Sequence, residues 1–317
     1  MSVRWLVRPL LCVALVLAAG LAPLLVAPVA ASEPVRAASI EGAAVPRLPR
    51  HLSARAWLVA DADTGEILAV HRPHKRLAPA STLKTLFALT VLPRLDGRTR
   101  HRVTGRDLAG IGAGSSVIGL RVGRSYRVAD LWRGTFLKSG NDAVRVLARM
   151  NGGWRSTARQ MQAKARALGA RDTRVVSPDG YDAPGQFSSA YDLSVFGRAG
   201  LRDPRFARYC ATASAGFPAH RSRFRIRNTN RLLSGTHGVH RYPGLIGIKN
   251  GYTSRAGNTL VTAARRGGRT VLVTVLNPRS GVRNGVYKEA RSLLDWGFAA
   301  RGRVKPVGQL APRRTGR

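Results

Sequence analysis

The 317-residue chain has only two cysteines, Cys12 and Cys210, and few acidic residues. Cys12 lies in an apolar N-terminal run, so a processed chain would keep Cys210 alone and could form no internal disulfide. Without disulfides the fold must depend on its core, and a composition that is 44% apolar supplies one. We therefore expect Cys210 to behave as a small packed hydrophobe.

The shortage of acidic residues leaves 16 Asp and Glu against 53 Lys and Arg, a net charge of +37. Such an excess favours anionic partners: nucleic acid, anionic lipid or an acidic polymer. Compositional drift in an Arg/Ala/Gly-rich proteome would explain the same excess of positive charge. The sequence does not decide between an anionic partner and compositional drift. No zinc-finger spacing, RNP-like aromatic motif or compact basic helix is present, so nucleic acid is not expected as a partner.

Only one long apolar run is present, and it lies at the N-terminus. Arg4 and Arg8 precede the apolar residues 9–26, and small residues follow up to Ala31. This pattern predicts a signal peptide over residues 1–31 and an exported, extracytoplasmic protein. Because the run approaches the length that spans a bilayer, a retained membrane anchor is the alternative.

The rest of the chain divides into a linker at 32–50, a body at 51–300 and a basic tail at 301–317. Asp61 to Gly65 and the pair Gly267-Gly268 predict tight turns between strands. The predicted strands of the body span residues 54–60, 66–71, 245–249, 259–263 and 270–276. The predicted helices follow Pro79 and cover about 128–137, 141–150, 155–168, 189–201 and 282–299. Strands at both ends with helices between them predict an α+β fold: a five-stranded antiparallel sheet, flanking helices and an inserted, mainly helical subdomain.

Ser81 and Lys84 form the first of three motifs that carry chemistry. Residues three apart on a helix share one face, so the lysine can reach the serine hydroxyl. A serine hydroxyl needs a base before it becomes a nucleophile, and a neutral lysine can serve. Burial and a nearby cation, for which Lys249 is the candidate, would lower the lysine pKa. An isolated Ser-x-x-Lys is also explained by a helix N-cap.

The other two motifs are Ser139-Gly140-Asn141 and Lys249-Asn250-Gly251. Taken singly, the first is explained by a helix start and the second by a turn. The three motifs in this order, with their flanks, instead indicate a serine acyltransferase that uses lysine as its base. No Ser-His-Asp set stands out, and the histidine pairs at 71/74 and 237/240 lack the cysteines or carboxylates that a metal site needs, so no metal or cofactor is implied.

The run from Ala78 to Thr85 resembles the active-site stretch of the D-alanyl-D-alanine carboxypeptidases, the low-molecular-mass penicillin-binding proteins. The segments 138–143 and 247–253 resemble the second and third motifs of that family. The resemblance extends over about residues 50–300 and implies a β-lactamase/transpeptidase-like fold. One departure is Asn250, which stands where the family usually has threonine; we expect retained function with altered affinity, because an amide also donates hydrogen bonds.

The resemblance implies a role for each motif residue. Ser81 would form the acyl-enzyme, Lys84 would act as base, and Ser139 with Lys249 would deliver a proton to the leaving D-alanine. Asn141 would hold the peptide and fix Lys84. The remaining substrate-binding residues would be Asn250, Gly251, Tyr252 and Thr253, with the N–H groups of Ser81 and Tyr252 as the oxyanion hole. Asp142, beside the site, is expected to pair with an arginine.

The implied reaction is removal of the terminal D-alanine from peptidoglycan stem peptides, with β-lactam antibiotics as covalent inhibitors. For a protein of the cell envelope, the basic surface makes anionic cell-wall polymers a further expected partner. A class A β-lactamase is one alternative, but its deacylating glutamate would lie between the second and third motifs. The four glutamates here are Glu33, Glu41, Glu66 and Glu289, all outside that interval. The other alternative is a catalytically weakened cell-wall-binding relative, which the net charge and Asn250 would fit.

Overall fold

The computed structural model describes residues 38–39, 46–219 and 222–310. The predicted signal peptide and most of the predicted linker lie outside the described residues, as do residues 311–317. Among the described helices, none combines the length and apolar character needed to cross a membrane.

The described residues form twelve strands and nine helices. The strands are β1 (Ala38–Ser39), β2 (Ala54–Asp61), β3 (Glu66–His71), β4 (Arg100–Arg102), β5 (Ser125–Arg127), β6 (Ser214–Pro218), β7 (Arg223–Arg227), β8 (Leu245–Thr253), β9 (Gly257–Arg266), β10 (Arg269–Pro278), β11 (Val304–Lys305) and β12 (Gly308–Gln309). The helices are α1 (Lys84–Val91), α2 (Gly105–Leu108), α3 (Val128–Leu137), α4 (Asn141–Met150), α5 (Trp154–Ala167), α6 (Ala190–Leu201), α7 (Pro204–Cys210), α8 (Arg231–Ser234) and α9 (Gly285–Ala300).

The central sheet is antiparallel, in the order β12-β3-β2-β10-β9-β8. The five predicted strands are present, but the prediction of five is wrong by one, because β12 pairs with β3 at the edge. A two-residue strand has no readable periodicity, so the sequence of the basic tail did not reveal it. The tail also supplies β11, which pairs with β1 from the predicted linker.

The two turns predicted in the sheet have the expected local chemistry. The Asp61 carboxylate accepts the N–H groups of Asp63 and Thr64 at 2.8 and 3.1 Å, which closes the β2–β3 turn. Gly267 and Gly268 both have positive φ, which suits the tight connection between β9 and β10. Local sequence therefore fixes the register of both hairpins.

Both faces of the sheet are covered, as the period-two pattern of β2 requires. Leu58 belongs to the larger core cluster, which contains Phe87 of α1 and Leu193 of α6. Val59 faces the opposite cluster, which contains Trp296 of α9. Helices α1 and α6 therefore cover one face of the sheet, and α9 covers the other. The apolar side chains of α1 hold that helix against the sheet.

The middle of the chain is mainly helical, as predicted, but it also contains two small antiparallel ladders. β4 pairs with β5, and β6 pairs with β7. Cys210, at the end of α7, is a buried free cysteine whose Sγ lies 3.2 Å from the Ile246 carbonyl oxygen. Burial raises the pKa of this thiol, so it is an unreactive packed side chain as expected.

Candidate active site

Ser81 lies in a short 3-10 turn, Ala80–Leu83, that leads directly into α1. The sequence predicted a helical first turn here, and the turn is tighter than an α-helix. The three-residue spacing still places the two side chains together: Lys84 Nζ donates a hydrogen bond to Ser81 Oγ at 2.6 Å. This is the contact that a serine nucleophile and a lysine base require.

The turn that carries Ser81, residues Ala80–Leu83 and here called the serine turn, is anchored to the sheet by the carbonyl oxygen of Pro79. That oxygen accepts hydrogen bonds from the hydroxyls of Thr82 and of Thr259 on β9. Ala80, between Pro79 and Ser81, has φ of 48°, the left-handed region that costs a non-glycine residue about 1–2 kcal/mol. The anchored turn therefore holds Ser81 on a strained backbone, a state that persists only where surrounding contacts fix it.

Gly180, in the loop after α5, packs against this strained turn. A β-carbon at position 180 would lie 2.0 Å from the Ala80 carbonyl oxygen, and the glycine has φ of +79°. No other residue type fits both the contact and the backbone angle. The neighbouring Asp179 accepts hydrogen bonds from Ser177 and from the Tyr181 N–H, so the loop is internally fixed.

The second motif brings two more polar groups to Lys84. Its Nζ also donates to Asn141 Oδ1 at 2.7 Å and to Ser139 Oγ at 3.3 Å. Ser139 has φ of 58°, so this residue too has left-handed backbone geometry. Lys84 is only 1% exposed, and its ammonium group is therefore surrounded by the three oxygen atoms that the sequence predicted.

A segment before α3 supports the second motif and was missed by sequence reasoning. Asn141 Nδ2 donates to Ser115 Oγ at 3.0 Å, and the N–H of Asn141 donates to the Ser116 carbonyl oxygen.

Asp142 was expected to pair with an arginine, and that expectation is wrong. Its carboxylate instead accepts the N–H groups of Ile118, Gly119 and Leu120, because at the start of α4 it faces free backbone donors.

Lys249 lies on β8 and is 1% exposed. Its Nζ donates to the carbonyl oxygen of Asn250 at 2.8 Å. Gly251, two residues on, packs against the serine turn: a β-carbon there would lie 2.6 Å from the Ser81 backbone nitrogen. The close approach places β8 beside the N–H of Ser81, one of the two expected oxyanion donors.

Burial sets the pKa of both lysines. Desolvation lowers the pKa of Lys84 to about 8, although the carboxylates of Asp179 and Asp142 raise it. Desolvation also lowers the pKa of Lys249 well below its usual value, and the charge of Lys84 lowers it further. Of the two expected causes of a lowered Lys84 pKa, burial is therefore present, whereas Lys249 is not among the groups that lower it.

The remaining third-motif side chains have partners within the protein. Asn250 accepts a hydrogen bond from the Thr229 hydroxyl at 2.9 Å and donates Nδ2 to the Tyr287 hydroxyl at 3.3 Å. Thr253 donates its hydroxyl to Asp182 at 2.8 Å, whereas Tyr252 is 67% exposed. That Asn250 and Thr253 face a substrate carboxylate stays a prediction.

Three of these supporting residues carried no usable signal in the sequence: Ser115, Asp182 and Tyr287. Each lies outside the motifs, and each reaches the site only through long-range packing. Thr229 lies in the segment Asn228-Thr229-Asn230, whose resemblance to the family was visible. Within the described residues, no group of three His, Cys, Asp or Glu side chains is arranged to hold a metal ion.

Comparison with known proteins agrees with this geometry. The sequence profile for D-alanyl-D-alanine carboxypeptidase matches residues 42–280. The chain is 41% identical over 262 residues to the D-alanyl-D-alanine carboxypeptidase DacB2 of Mycobacterium tuberculosis, a match covering 81% of this chain and 86% of the relative. It is 34% identical to DacD of Escherichia coli, covering 78% of this chain but only 64% of that relative.

Solved structures give the same result. The D-alanyl-D-alanine carboxypeptidase of Mycobacterium tuberculosis superposes with a TM-score of 0.76 and 38% identity, covering 87% of this chain and 100% of that one. A single-residue variant of the Streptomyces K15 DD-transpeptidase superposes with a TM-score of 0.72 and 27% identity, covering 80% and 99%. The predicted β-lactamase/transpeptidase-like fold is therefore confirmed.

Proposed function

The chain belongs to the D-alanyl-D-alanine carboxypeptidase family of serine hydrolases, and we propose that it removes the terminal D-alanine from peptidoglycan stem peptides through an acyl-enzyme on Ser81. The observation that carries the proposal is the 2.6 Å contact between Lys84 Nζ and Ser81 Oγ. Acylation begins when neutral Lys84 takes the hydroxyl proton, and Oγ attacks the carbonyl carbon of the penultimate D-alanine.

The leaving D-alanine needs a proton as its C–N bond breaks. Lys84 now holds the proton from Ser81, and Ser139 Oγ lies 3.3 Å from its Nζ. We assign Ser139 the transfer of that proton to the departing amine, with assistance from Lys249. A water molecule then attacks the acyl carbon and gives a proton to Lys84. Lys84 returns that proton to Ser81 Oγ as the ester bond breaks and the shortened peptide leaves.

Transition-state charge on the carbonyl oxygen would be stabilised by backbone N–H groups. Ser81 supplies one of them, and the adjacent strand β8 supplies the other at Tyr252. Gly251 makes this arrangement possible, because a side chain at position 251 would collide with the Ser81 nitrogen. Loss of one such donor typically costs about 3–4 kcal/mol in the transition state.

A β-lactamase-like hydrolase is the second candidate, and the positions of the described glutamates disfavour it. Glu289 accepts hydrogen bonds from Ser53 and the Ala54 N–H, and Glu66 accepts one from Thr64 in the first hairpin. Neither glutamate is a hydrogen-bond partner of Lys84, which bonds Ser81, Ser139 and Asn141. We expect β-lactams to acylate Ser81 and to leave slowly.

We further propose that the protein works outside the cytoplasm. The substrate is a cell-wall peptide, and residues 1–31 have the pattern of a signal peptide. Processing of the N-terminus is checked by sequencing the first residues of the protein recovered from the envelope. A mature protein that begins at Met1 would contradict cleavage.

Labelling with a fluorescent penicillin, followed by a D-alanine release assay on a muramyl-pentapeptide, tests the proposed reaction. The wild type should form a stable adduct and release D-alanine, and Ser81→Ala should do neither. Ser116→Ala, an exposed serine whose side chain lies outside this network, is the matched control. A folded wild type that forms no adduct would overturn the assignment. An adduct without D-alanine release would indicate a penicillin-binding relative that has lost its peptidase activity.

A further inference from the structure

A cavity of about 1030 Å³ lies away from Ser81, at the opposite ends of two helices that lead to the catalytic site. Its wall includes Leu92 to Arg94, just after the C-terminal end of α1, whereas Lys84 begins that helix. It also includes the first turn of α3, whereas Ser139 follows the last turn. The ten residues of α3 separate the two places by about 15 Å.

Arginine dominates this cavity beyond what the composition of the chain explains. Of its 19 lining residues, 8 are arginines and only Asp96 and Asp130 are acidic. In the whole chain, 53 of 317 residues are lysine or arginine. Compositional drift would spread the positive charge evenly, so the enrichment at one concave surface needs a separate explanation.

The carboxylates do not neutralise these arginines. Asp96 pairs with Arg98 at 3.0 Å, and Asp130 pairs with Arg133 at 2.6 Å. Arg205 pairs with Asp203, outside the cavity wall, at 3.3 Å. Within the described residues, the other five lining arginines have no carboxylate partner: Arg94, Arg100, Arg127, Arg208 and Arg223.

Two of the arginines without a carboxylate partner are held directly opposite each other. Arg100 on β4 and Arg127 on β5 are cross-strand partners in the two-stranded ladder. Like charges in this position repel each other and destabilise a strand pair. A bound anion between the two guanidinium groups would replace their mutual repulsion with attraction to the anion. Paired like charges are therefore easier to explain in a binding site than in a ladder that serves only to stabilise the fold.

The chemistry of the wall selects the class of ligand. Guanidinium groups form paired hydrogen bonds with phosphate oxygens, and five arginines without a carboxylate partner exceed what one anionic group can neutralise. A ligand with phosphates repeated along a chain fits this requirement. The lining aromatic residues are Trp132, which is fully buried, and Tyr209, which is 6% exposed, so no platform for stacking nucleic-acid bases is present.

We propose that this arginine cavity binds a phosphodiester polyanion that lacks bases, such as a polyol-phosphate chain of the cell envelope. Binding there would hold the enzyme on an anionic polymer while the catalytic site, at the far ends of α1 and α3, remains open to peptide. The inference does not depend on the reaction assigned to Ser81.

The test measures the affinity of the full-length protein for poly(glycerol phosphate) by calorimetry at several salt concentrations. The cavity variant carries Arg94→Gln, Arg100→Gln and Arg127→Gln. The control variant carries Arg159→Gln, Arg166→Gln and Arg303→Gln, which removes the same charge from exposed positions outside the cavity. Penicillin labelling of Ser81 confirms that both variants are folded.

The cavity variant should bind at least about tenfold more weakly than the wild type and show a shallower salt dependence, whereas the control variant should change less than about twofold. Equal weakening in both variants would overturn the proposal, because it would assign binding to the general surface charge. Single-stranded DNA of matched charge should bind more weakly than the polymer. Preference for DNA, or no binding of the polymer to the wild type, would also overturn it.

Discussion

Lys84 and Lys249 are both buried at the active site, and the positive charge of Lys84 lowers the pKa of Lys249. A positive charge on Lys84 therefore disfavours a second positive charge on Lys249. Lys84, which has Asp179 and Asp142 nearby to raise its pKa, keeps its proton more readily. The base that the reaction needs is thus mostly protonated at pH 7, and activity should depend on its titration.

The rate of Ser81 acylation should rise with pH and level off above about 8, because only neutral Lys84 accepts the hydroxyl proton. At pH 7 about one tenth of the molecules would hold Lys84 neutral, and at pH 6 about one hundredth. Stopped-flow measurement of penicillin acylation between pH 5.5 and 10 checks this.

Asp179→Asn should move that midpoint to lower pH, since the Asp179 carboxylate raises the pKa of Lys84. Asp172→Asn, at a carboxylate that bonds His74 and Ser189, is the control and should leave the midpoint unchanged. A flat profile in the wild type, or an identical midpoint in Asp179→Asn, would count against Lys84 as the base.

Ser115→Ala should lower the acylation rate about tenfold or less with little change in unfolding temperature. The substitution removes the acceptor of the Asn141 amide, and a hydrogen bond of this kind contributes about 0.5–1.5 kcal/mol. Ser115→Thr should restore most of the rate. Ser116→Ala keeps the backbone carbonyl group that accepts from the Asn141 N–H, so it should not change the acylation rate. Equal acylation rates in Ser115→Ala and the wild type would show that Ser115 does not position Asn141.

Asn250→Thr and Tyr287→Phe should be coupled in the KM for a D-Ala-D-Ala peptide. Tyr287 accepts from Asn250 Nδ2 and donates to the Thr229 carbonyl oxygen, so either change breaks the same hydrogen bond between positions 250 and 287. We expect the double variant to depart from additivity by about 1 kcal/mol, or about fivefold in KM.

Tyr242→Phe is the matched control for that cycle, because Tyr242 bonds Asp295 and does not contact Asn250. It should combine additively with Asn250→Thr. Additive behaviour of Asn250→Thr with Tyr287→Phe as well would show that the hydrogen bond between them does not position Asn250.

Gly180→Ala should lower the free energy of unfolding and slow acylation, because its β-carbon would displace the Ala80 carbonyl next to Ser81. Gly114→Ala separates crowding from backbone strain, since Gly114 also has a positive φ, +71°, but has open space around it. We expect Gly114→Ala to lose about 1 kcal/mol, and Gly180→Ala to lose about 1–3 kcal/mol more. Urea unfolding measures both; equal losses would show that the turn accommodates the added atom.

Features that depend on neighbouring residues along the chain could be predicted from the amino-acid sequence. Ser81 and Lys84 meet because residues three apart on a helical turn share one face. The β2–β3 and β9–β10 hairpins form because Asp, Gly and Gly-Gly supply the backbone angles of tight turns. The order of the three motifs and their flanks identified the family, because chance agreement over so many positions is improbable.

Features that depend on contacts between distant segments could not be predicted and became visible in the folded protein. Ser139 and Asn141 reach Lys84 across 55 and 57 residues, and Ser115 and Tyr287 join the site from still other parts of the chain. The lowered pKa of Lys84 comes from burial, which no local pattern reports. The same packing gathers the arginines of β4, β5 and α7 around one cavity. Contacts of this kind form when separate helices and strands pack together, so the secondary-structure propensity of a local segment does not predict them.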